Sequence, residues 1–336
     1  VLEADVELDR REFRLSASFT VAAGQRLALF GPSGAGKTTI LEVIAGLLEP
    51  ARGAVVLDGR VLTRTAAPRR QVPPWQRRVG LLRQDPALFP HLSVRQNLAY
   101  AARAKHGPAE TGQDEIARIA ERLGIGGLLD DRPARLSGGQ AHRVALGRLL
   151  ASRCDALLLD EPYTGLDASL RRDLTDLVRE LVAARQVPSV LVAHELEAAQ
   201  AFADQMAVLD HGQIRQTGTP AEVVAAPAAR RVAELVGYRS FVPLVGAAEG
   251  VVAGIHPDRV VAGRQPSRGV VLAGPVRSCR PSGAGWEATI ETAGTLVPAQ
   301  LREPPGGGPD FTFTVLDPPC FGPDGLRVSR PEEVPT

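Results

Sequence analysis

The chain has 336 residues, enough for two domains with packed cores, and an ordinary balance of 44% hydrophobic and 23% charged residues. A formal net charge of +1 gives no electrostatic reason to expect a nucleic-acid partner, and no apolar run approaches the ~20 residues of a membrane span. Cys154, Cys279 and Cys320 lie far apart with no C-x-x-C pair, which excludes a zinc knuckle, gives no disulfide framework and fits a reducing cytoplasm. The sequence begins at Val1 without a recognisable signal peptide, and the natural start is left open. Any membrane role is expected to come through a partner.

Two alternating segments open the chain. Leu2, Ala4, Val6 and Leu8 share one face, and Phe13, Leu15, Ala17, Phe19 and Val21 share another, the pattern of half-buried strands. With "GAVVLDGRVL" at 53–62 they predict a small antiparallel layer. Between them, Leu27–Phe30 is a short apolar run that reads as a buried parallel strand.

That strand leads into "GPSGAGKTT". Gly31, Gly34 and Gly36 let the backbone curl so that several N–H groups point into one concavity at the start of a helix. The spacing is G-x-x-x-x-G-K-T, a phosphate-binding loop. Gly31, Pro32, Ser33, Gly34, Ala35, Gly36, Lys37, Thr38 and Thr39 are the candidate nucleotide contacts. Lys37 would reach the β- and γ-phosphates, and the Thr38 hydroxyl would hold Mg²⁺. Only Lys37 and Lys105 among the 39 basic residues are lysines, so a compact ammonium at this loop is a marked choice. The plain alternative is a glycine-rich turn; the strand before and the helix pattern after argue against it.

The arginines from Arg64 to Arg78 read as a solvated loop rather than a nucleic-acid patch. From Ser93 to Gly124 the pattern is helical, with Ser93 as a predicted N-cap and Gly124 as a C-cap. Apolar strands return at "DALLLDEP" (155–162) and "SVLVAHE" (189–195), separated by a charged helix around 168–185. Strand–helix–strand order predicts a parallel α/β core. Asp160 and Glu161 end the first of these strands, where ligands bind in such sheets: Asp160 is suited to orient Mg²⁺, Glu161 to polarise an attacking water. Their alternative role is to cap the strand or the next helix. Near Gly237 the helical periodicity stops and Gly and Pro become frequent. Runs at Gly250–Ile255, Val270–Leu272 and Phe311–Leu316 predict a small β domain over 238–336.

"LSGGQ" at 136–140 places Ser137 and two glycines at the head of a helix, a second anion site. Lying between the phosphate-binding loop and the acidic strand, it resembles the signature of the ATP-binding cassette family. "RQDPALF" resembles that family's Q-loop with Gln84, "TGLD" its D-loop with Asp167, and "LVAHE" its switch histidine, His194. Alone, Gln84 reads as a surface amide and His194 as a satisfied strand-end histidine; the family order favours the functional roles. The resemblance covers about the first 236 residues. It implies an α/β P-loop NTPase cassette over 1–237 with a parallel core sheet, an antiparallel β subdomain and a helical insertion at about 85–135, followed by an OB-like C-terminal β regulatory domain, 238–336.

The resemblance also implies ATP and Mg²⁺ as cofactors, with Thr38, Gln84 and Asp160 toward the metal and Glu161, His194 and Gln84 as catalytic residues. Ser137, Gly138, Gly139 and Gln140 would close over ATP held by the partner subunit of a head-to-tail homodimer. The family's adenine-stacking aromatic falls to Phe13, although Phe13 also begins an apolar face, and core packing is the favoured reading. A single cassette with a β tail resembles importer ATPases of the molybdate, tungstate and sulfate group, molybdate first. Such ATPases work at the cytoplasmic face of the membrane with two permease subunits and an extracytoplasmic solute-binding protein, without nucleic acid. Importers of ferric iron or polyamine, a soluble cassette ATPase of DNA repair or translation, and a P-loop kinase or GTPase are the alternatives. The last leaves "LSGGQ" unexplained. Arg259, Arg264, Arg268, Arg277 and Arg280 could sense the anion in the β domain, but solvated arginines on a dimerisation or docking domain are favoured.

Overall fold

The computed structural model describes residues 1–9, 13–102, 113–163, 166–244, 247–265, 267, 269–283, 285–306 and 310–329. The chain forms two compact units, Val1–Pro220 and Ala221–Thr336.

In the first unit the strands β1 (Leu2–Asp9) and β2 (Arg14–Val21) pair antiparallel with Leu2 opposite Val21, Ala4 opposite Phe19 and Val6 opposite Ala17. The alternation in the sequence therefore sets one face of the pair into the core, where Leu2, Ala4, Val6, Leu15, Ala17 and Val21 are buried. Strand β3 (Arg26–Phe30) is apolar along its length, and helix α1 (Lys37–Ala45) follows it. The hairpin of β4 (Arg52–Leu57) and β5 (Arg60–Arg64) turns at Asp58 and Gly59, both at positive φ (49° and 75°), as a two-residue turn that matches strand twist requires. After the short edge strand β6 (Arg70–Gln71) comes β7 (Val79–Leu82).

Helices α2 (Val94–Ala102) and α3 (Gln113–Arg122) fall within 85–135, the stretch expected as a helical insertion, and α4 (Gly138–Ala151) follows it. Ser93 caps α2: its hydroxyl accepts from Gln96 N–H at 3.3 Å and its own N–H donates to the Gln96 amide oxygen at 2.9 Å. The chain then returns through β8 (Ala156–Asp160), α5 (Ala168–Arg185), β9 (Ser189–Ala193), α6 (Leu196–Phe202), β10 (Gln205–Asp210) and β11 (Gln213–Gly218).

All eleven strands join one sheet in the order β6-β5-β4-β1-β2-β11-β10-β3-β9-β8-β7. From β10 to β7 the neighbours run parallel, whereas β1, β2, β4, β5 and β6 form the antiparallel layer. In register, Phe30 lies opposite Ala193, Asp160 opposite Val192, and Leu82 opposite Leu159. The carboxyl ends of β3, β9, β8 and β7 therefore form one edge, where an open α/β sheet binds ligands. Every residue of β8 and β9 is buried, which explains why these strands read as unbroken apolar runs rather than alternating ones. Among the described residues no helix is long and apolar enough to cross a membrane.

Among the described residues the second unit holds three small sheets. Ser240–Pro243, Val252–Ile255, Cys320–Phe321 and Arg327–Val328 form one; Val260–Ala262, Phe311–Leu316 and Gly269–Gly274 form another; Val276–Ser282, Gly285–Thr292 and Thr295–Leu301 form an antiparallel meander. Val242, Ile255, Ile290, Val297, Phe313 and Val315 meet in a shared core. The units part at 220/221, earlier than the composition break at 237. Residues on and beside the helices Pro220–Ala225 and Arg230–Leu235 are tied to this unit's own residues: Tyr238 donates its hydroxyl to the Val224 carbonyl at 2.9 Å, and Arg230 N–H donates to the Gly325 carbonyl at 2.8 Å. Of the arginines expected there, Arg277 pairs with Glu291 and Arg280 with Glu287 across adjacent strands, and Arg259 donates to the Asp317 carbonyl. Arg268 lies outside the described residues.

Candidate functional site

Strand β3 delivers the chain to Gly31 at φ 157°, and a Cβ added there would stand 2.0 Å from the Leu209 carbonyl oxygen of β10. Only glycine passes so close to a neighbouring backbone. Pro32, Ser33, Gly34 (φ 80°), Ala35 and Gly36 (φ 102°) complete the loop, and Gly36 is the left-handed N-cap of α1. Thr39 sits in the first turn of that helix. Lys37 is only 5% exposed; its ammonium arches back across the loop and donates to the carbonyls of Gly31 and Pro32, both at 2.8 Å. Burial pushes its pKa down, while the nearby charges of Glu161 and Asp160 hold it up.

The next residue closes the other half of the site. Thr38 Oγ1 donates to Asp160 Oδ1 at 3.1 Å, joining the first turn of α1 to the end of β8. Asp160 is buried, which pushes its carboxyl up from the usual range; the Thr38 bond opposes the shift. A hydroxyl and a carboxylate this close are oxygen donors of the kind a hard divalent cation takes.

Glu161 follows with φ 48°, a left-handed conformation unusual for a residue with a side chain. This turn directs it away from its strand, and Glu161 Oε1 lies 3.2 Å from Nδ1 of His194, the residue after β9. The structure thus brings together Lys37, Thr38, Asp160, Glu161 and His194 from three separate parts of the sequence.

The remaining candidates lie around this group. Gln84 is exposed in the loop after β7, and its side chain makes no hydrogen bond among the described residues. Ser137 is the N-cap of α4 in a reciprocal box: its hydroxyl accepts from Gln140 N–H at 3.3 Å and its N–H donates to the Gln140 amide oxygen at 2.8 Å. Ser137 and Gly138 are exposed and Gly139 and Gln140 half-buried, so this helix start is open to a ligand or a partner. Asp167 is the N-cap of α5; the N–H of Leu170, and then that of Ser169, hold its carboxyl below the usual range. Thr164 and Gly165 of the same loop lie outside the described residues.

Phe13 precedes β2 and packs, half-buried, against the first unit's core. Its ring also flanks the phosphate-binding loop: a Cβ at Gly36 would lie 3.4 Å from it, and one at Gly212 2.4 Å. Core packing and a position beside the loop therefore coincide. The sequence alone does not point to Arg171 and Glu195, an ion pair beside His194. The signal was there in outline, a charge directly after the histidine and another one helical turn after Asp167.

Residues 15–164 match the ABC transporter family. The molybdenum import ATP-binding protein ModC of Mycobacterium tuberculosis is 44% identical over 228 residues, 67% of this chain and 62% of that protein. The sulfate/thiosulfate import ATP-binding protein CysA of Thermosynechococcus vestitus is 36% identical over 277 residues, 81% of this chain and 80% of its own length. Import ATP-binding proteins named for Fe(3+) ions and for sn-glycerol-3-phosphate, from Mesorhizobium japonicum and Cereibacter sphaeroides, match at 41% and 40% identity over 61% of their lengths. The chain spans 60–63% of the length of the first curated relatives it matches. A solved ATP binding subunit of an ABC transporter superposes with a TM-score of 0.57 at 26% identity, covering 70% of this chain and 94% of that one. On the matched domain and the 80% coverage of a 36% identical relative, the chain belongs to the ABC transporter family.

Proposed function

We propose that this chain is the ATP-hydrolysing subunit of an importer, acting as a homodimer at the cytoplasmic face of the membrane beneath two permease subunits. The observation that carries the reading is the convergence of Lys37, the Thr38–Asp160 bond and the Glu161–His194 contact at one edge of the parallel sheet.

ATP would lie with its phosphates over the N-terminus of α1, where the loop N–H groups and the helix dipole favour negative charge. Lys37 then exchanges backbone carbonyls for phosphate oxygens and offsets the charge that develops on them. Thr38 and Asp160 would hold Mg²⁺, with Gln84 approaching from its exposed loop; the metal supplies further positive charge to the phosphates. Glu161 orients the attacking water, and His194, held 3.2 Å from it, is placed to contact the γ-phosphate. Ser137 and Gly139 of a second copy add contacts that only a γ-phosphate can make, so ATP favours the closed dimer and hydrolysis releases it. Phe13 packs on the core beside Gly36, and the edge of its ring that faces the loop would be the adenine's platform. Residues 85–135 dock on the permease, and residues 238–336 regulate.

The cargo is an oxyanion delivered by a solute-binding protein. Molybdate ranks first because the relative named for molybdenum matches at 44%, against 36% to 41% for those named for sulfate/thiosulfate.

Mixing Ser137→Arg subunits with Lys37→Ala subunits tests the shared site, since each heterodimer regains one intact composite site. ATP-dependent dimerisation is expected to recover; no recovery at any ratio, with both variants folded, removes the head-to-tail arrangement. In the reconstituted transporter, molybdate-loaded binding protein should stimulate hydrolysis more than the sulfate-loaded form. A response to iron or a polyamine alone would discard the oxyanion and leave the ATPase reading.

A further inference from the structure

Helix α5 starts at its cap, Asp167, and one turn later carries Arg171, whose N–H donates to the Asp167 carbonyl at 3.0 Å. The Arg171 guanidinium donates through Nη1 to Oε2 of Glu195, the residue after His194. The other oxygen of that carboxylate, Oε1, lies 3.8 Å from His194 Nε2, while Glu161 Oε1 lies 3.2 Å from His194 Nδ1. The imidazole thus sits between two carboxylates, and Arg171 occupies the outer one. Arg171 Nε is buried with no hydrogen-bond partner among the described residues, and the side chain lines a cavity of about 110 Å³ with Glu161, Tyr163, His194, Glu195 and Ala198.

This arrangement sets up a competition. Glu161 at 3.2 Å is within hydrogen-bond reach of the imidazole, whereas Glu195 at 3.8 Å stands just outside it and a small shift of its side chain would bring it in. The charge-assisted bond from the guanidinium to Oε2 anchors the Glu195 side chain, so that its other oxygen, Oε1, stays 3.8 Å from the imidazole. His194 is then left to Glu161. The same guanidinium belongs to the helix that Asp167 begins, so this ion pair joins the loop carrying the histidine to the start of α5.

We propose that Arg171 is a positioning residue for hydrolysis: by engaging Glu195 it keeps His194 directed at Glu161 and links the histidine to the helix that starts at Asp167. The inference rests on the reading of Glu161 and His194 as the hydrolytic pair.

The test uses the chain of both units and measures steady-state ATP hydrolysis, nucleotide affinity and thermal melting. Arg171→Met frees the Glu195 carboxylate and is expected to lower kcat about tenfold while leaving KM for ATP within about twofold, a loss of positioning rather than of binding. Adding Glu195→Gln to it removes the competing charge and should restore kcat to within about threefold of wild type, a non-additive rescue that lost packing would not show. Arg171→Lys keeps the charge and is expected to stay within about threefold of wild type; it also serves if the Met variant melts early. Wild-type kcat in Arg171→Met, a loss that Glu195→Gln leaves in place, or an Arg171→Lys variant as impaired as the Met one overturns the proposal. If the wild-type chain hydrolyses no ATP, or Glu161→Gln hydrolyses it at the wild-type rate, it is the underlying catalytic reading that fails.

Discussion

Thr38 and Asp160 are 122 positions apart in sequence, yet one hydrogen bond of 3.1 Å joins them and so joins the phosphate-binding helix to the acidic strand. Both groups are oxygen donors, and Asp160 is buried among apolar strands where its charge is costly without a counter-ion. Asp160→Asn keeps an acceptor for Thr38 but removes the charge. It is expected to lower Mg²⁺-dependent hydrolysis by about 10²-fold while ATP binding in EDTA is unchanged. Equilibrium titration with and without Mg²⁺ separates the two, and equal loss in both conditions would take Asp160 out of the metal site.

Glu161 and Lys37 should fail in opposite ways. Glu161→Gln retains the shape of the left-handed turn and its contact with His194, so ATP should still bind and stabilise a dimer, while turnover falls by about 10²-fold or more. Lys37→Ala removes a buried ammonium from the loop and should weaken ATP binding itself. Substantial residual turnover in the first variant, or unchanged affinity in the second, would reassign the residue.

A third prediction concerns the base of the same helix. Arg77 is only 1% exposed and donates to the carbonyls of Val72, Val43 and Ile44 and to the Thr63 hydroxyl, with no carboxylate among these partners. Burial pushes its pKa down to about 10, which still leaves it charged at neutral pH. It lies so close under Gly46, the C-cap of α1, that a Cβ there would stand 2.2 Å from Arg77 Nε. Its cation meets the negative end of the helix dipole. Arg77→Met strands several buried acceptors and should destabilise the first unit by about 3 kcal/mol in denaturant melts. A loss below about 0.5 kcal/mol, the range of ordinary surface substitutions, would show that the guanidinium is dispensable.

Much of this was legible in the sequence because its signals are local. The alternation of Leu2, Ala4 and Val6 against Leu15, Ala17 and Val21 fixes which face of the β1–β2 pair is buried, and the register follows from it. Gly31 and Gly36 mark left-handed or crowded backbone whatever lies around them. Arg77 was hidden, since within a run of arginines nothing local distinguishes the buried one from its solvated neighbours Arg69 and Arg70. The break at 220 was hidden for a similar reason. The helices Pro220–Ala225 and Arg230–Leu235 look like a continuation of the α/β pattern, and only contacts such as Tyr238 with Val224 assign them to the second unit. The strand Val276–Ser282 escapes a hydrophobic reading because most of its residues are exposed, with Arg277 and Arg280 paired to glutamates on its neighbour.

The last prediction is a pH dependence built into the signature helix. His142 lies within α4, two residues after Gln140, and is 6% exposed. Burial pushes its pKa below the usual histidine range, the Pro162 backbone opposing, and its Nε2 has no hydrogen-bond partner among the described residues. The sign follows from proton counting. In the window between the depressed folded value and the ordinary one, the unfolded chain binds the proton and the folded chain does not, so stability rises with pH across that window. The contribution is fully present above the ordinary histidine pKa and is lost as pH falls through the window. His142→Gln keeps a polar side chain of similar size but cannot titrate. Urea melts of the wild type at pH 7.5 and 5.5 should show a lower midpoint at the acidic value, and the variant a smaller drop. His256 is depressed in the same direction by burial, but it belongs to the second unit and is common to both proteins, so the difference between them isolates His142. Identical midpoint shifts in wild type and His142→Gln would mean that the fold admits the charged imidazole without penalty.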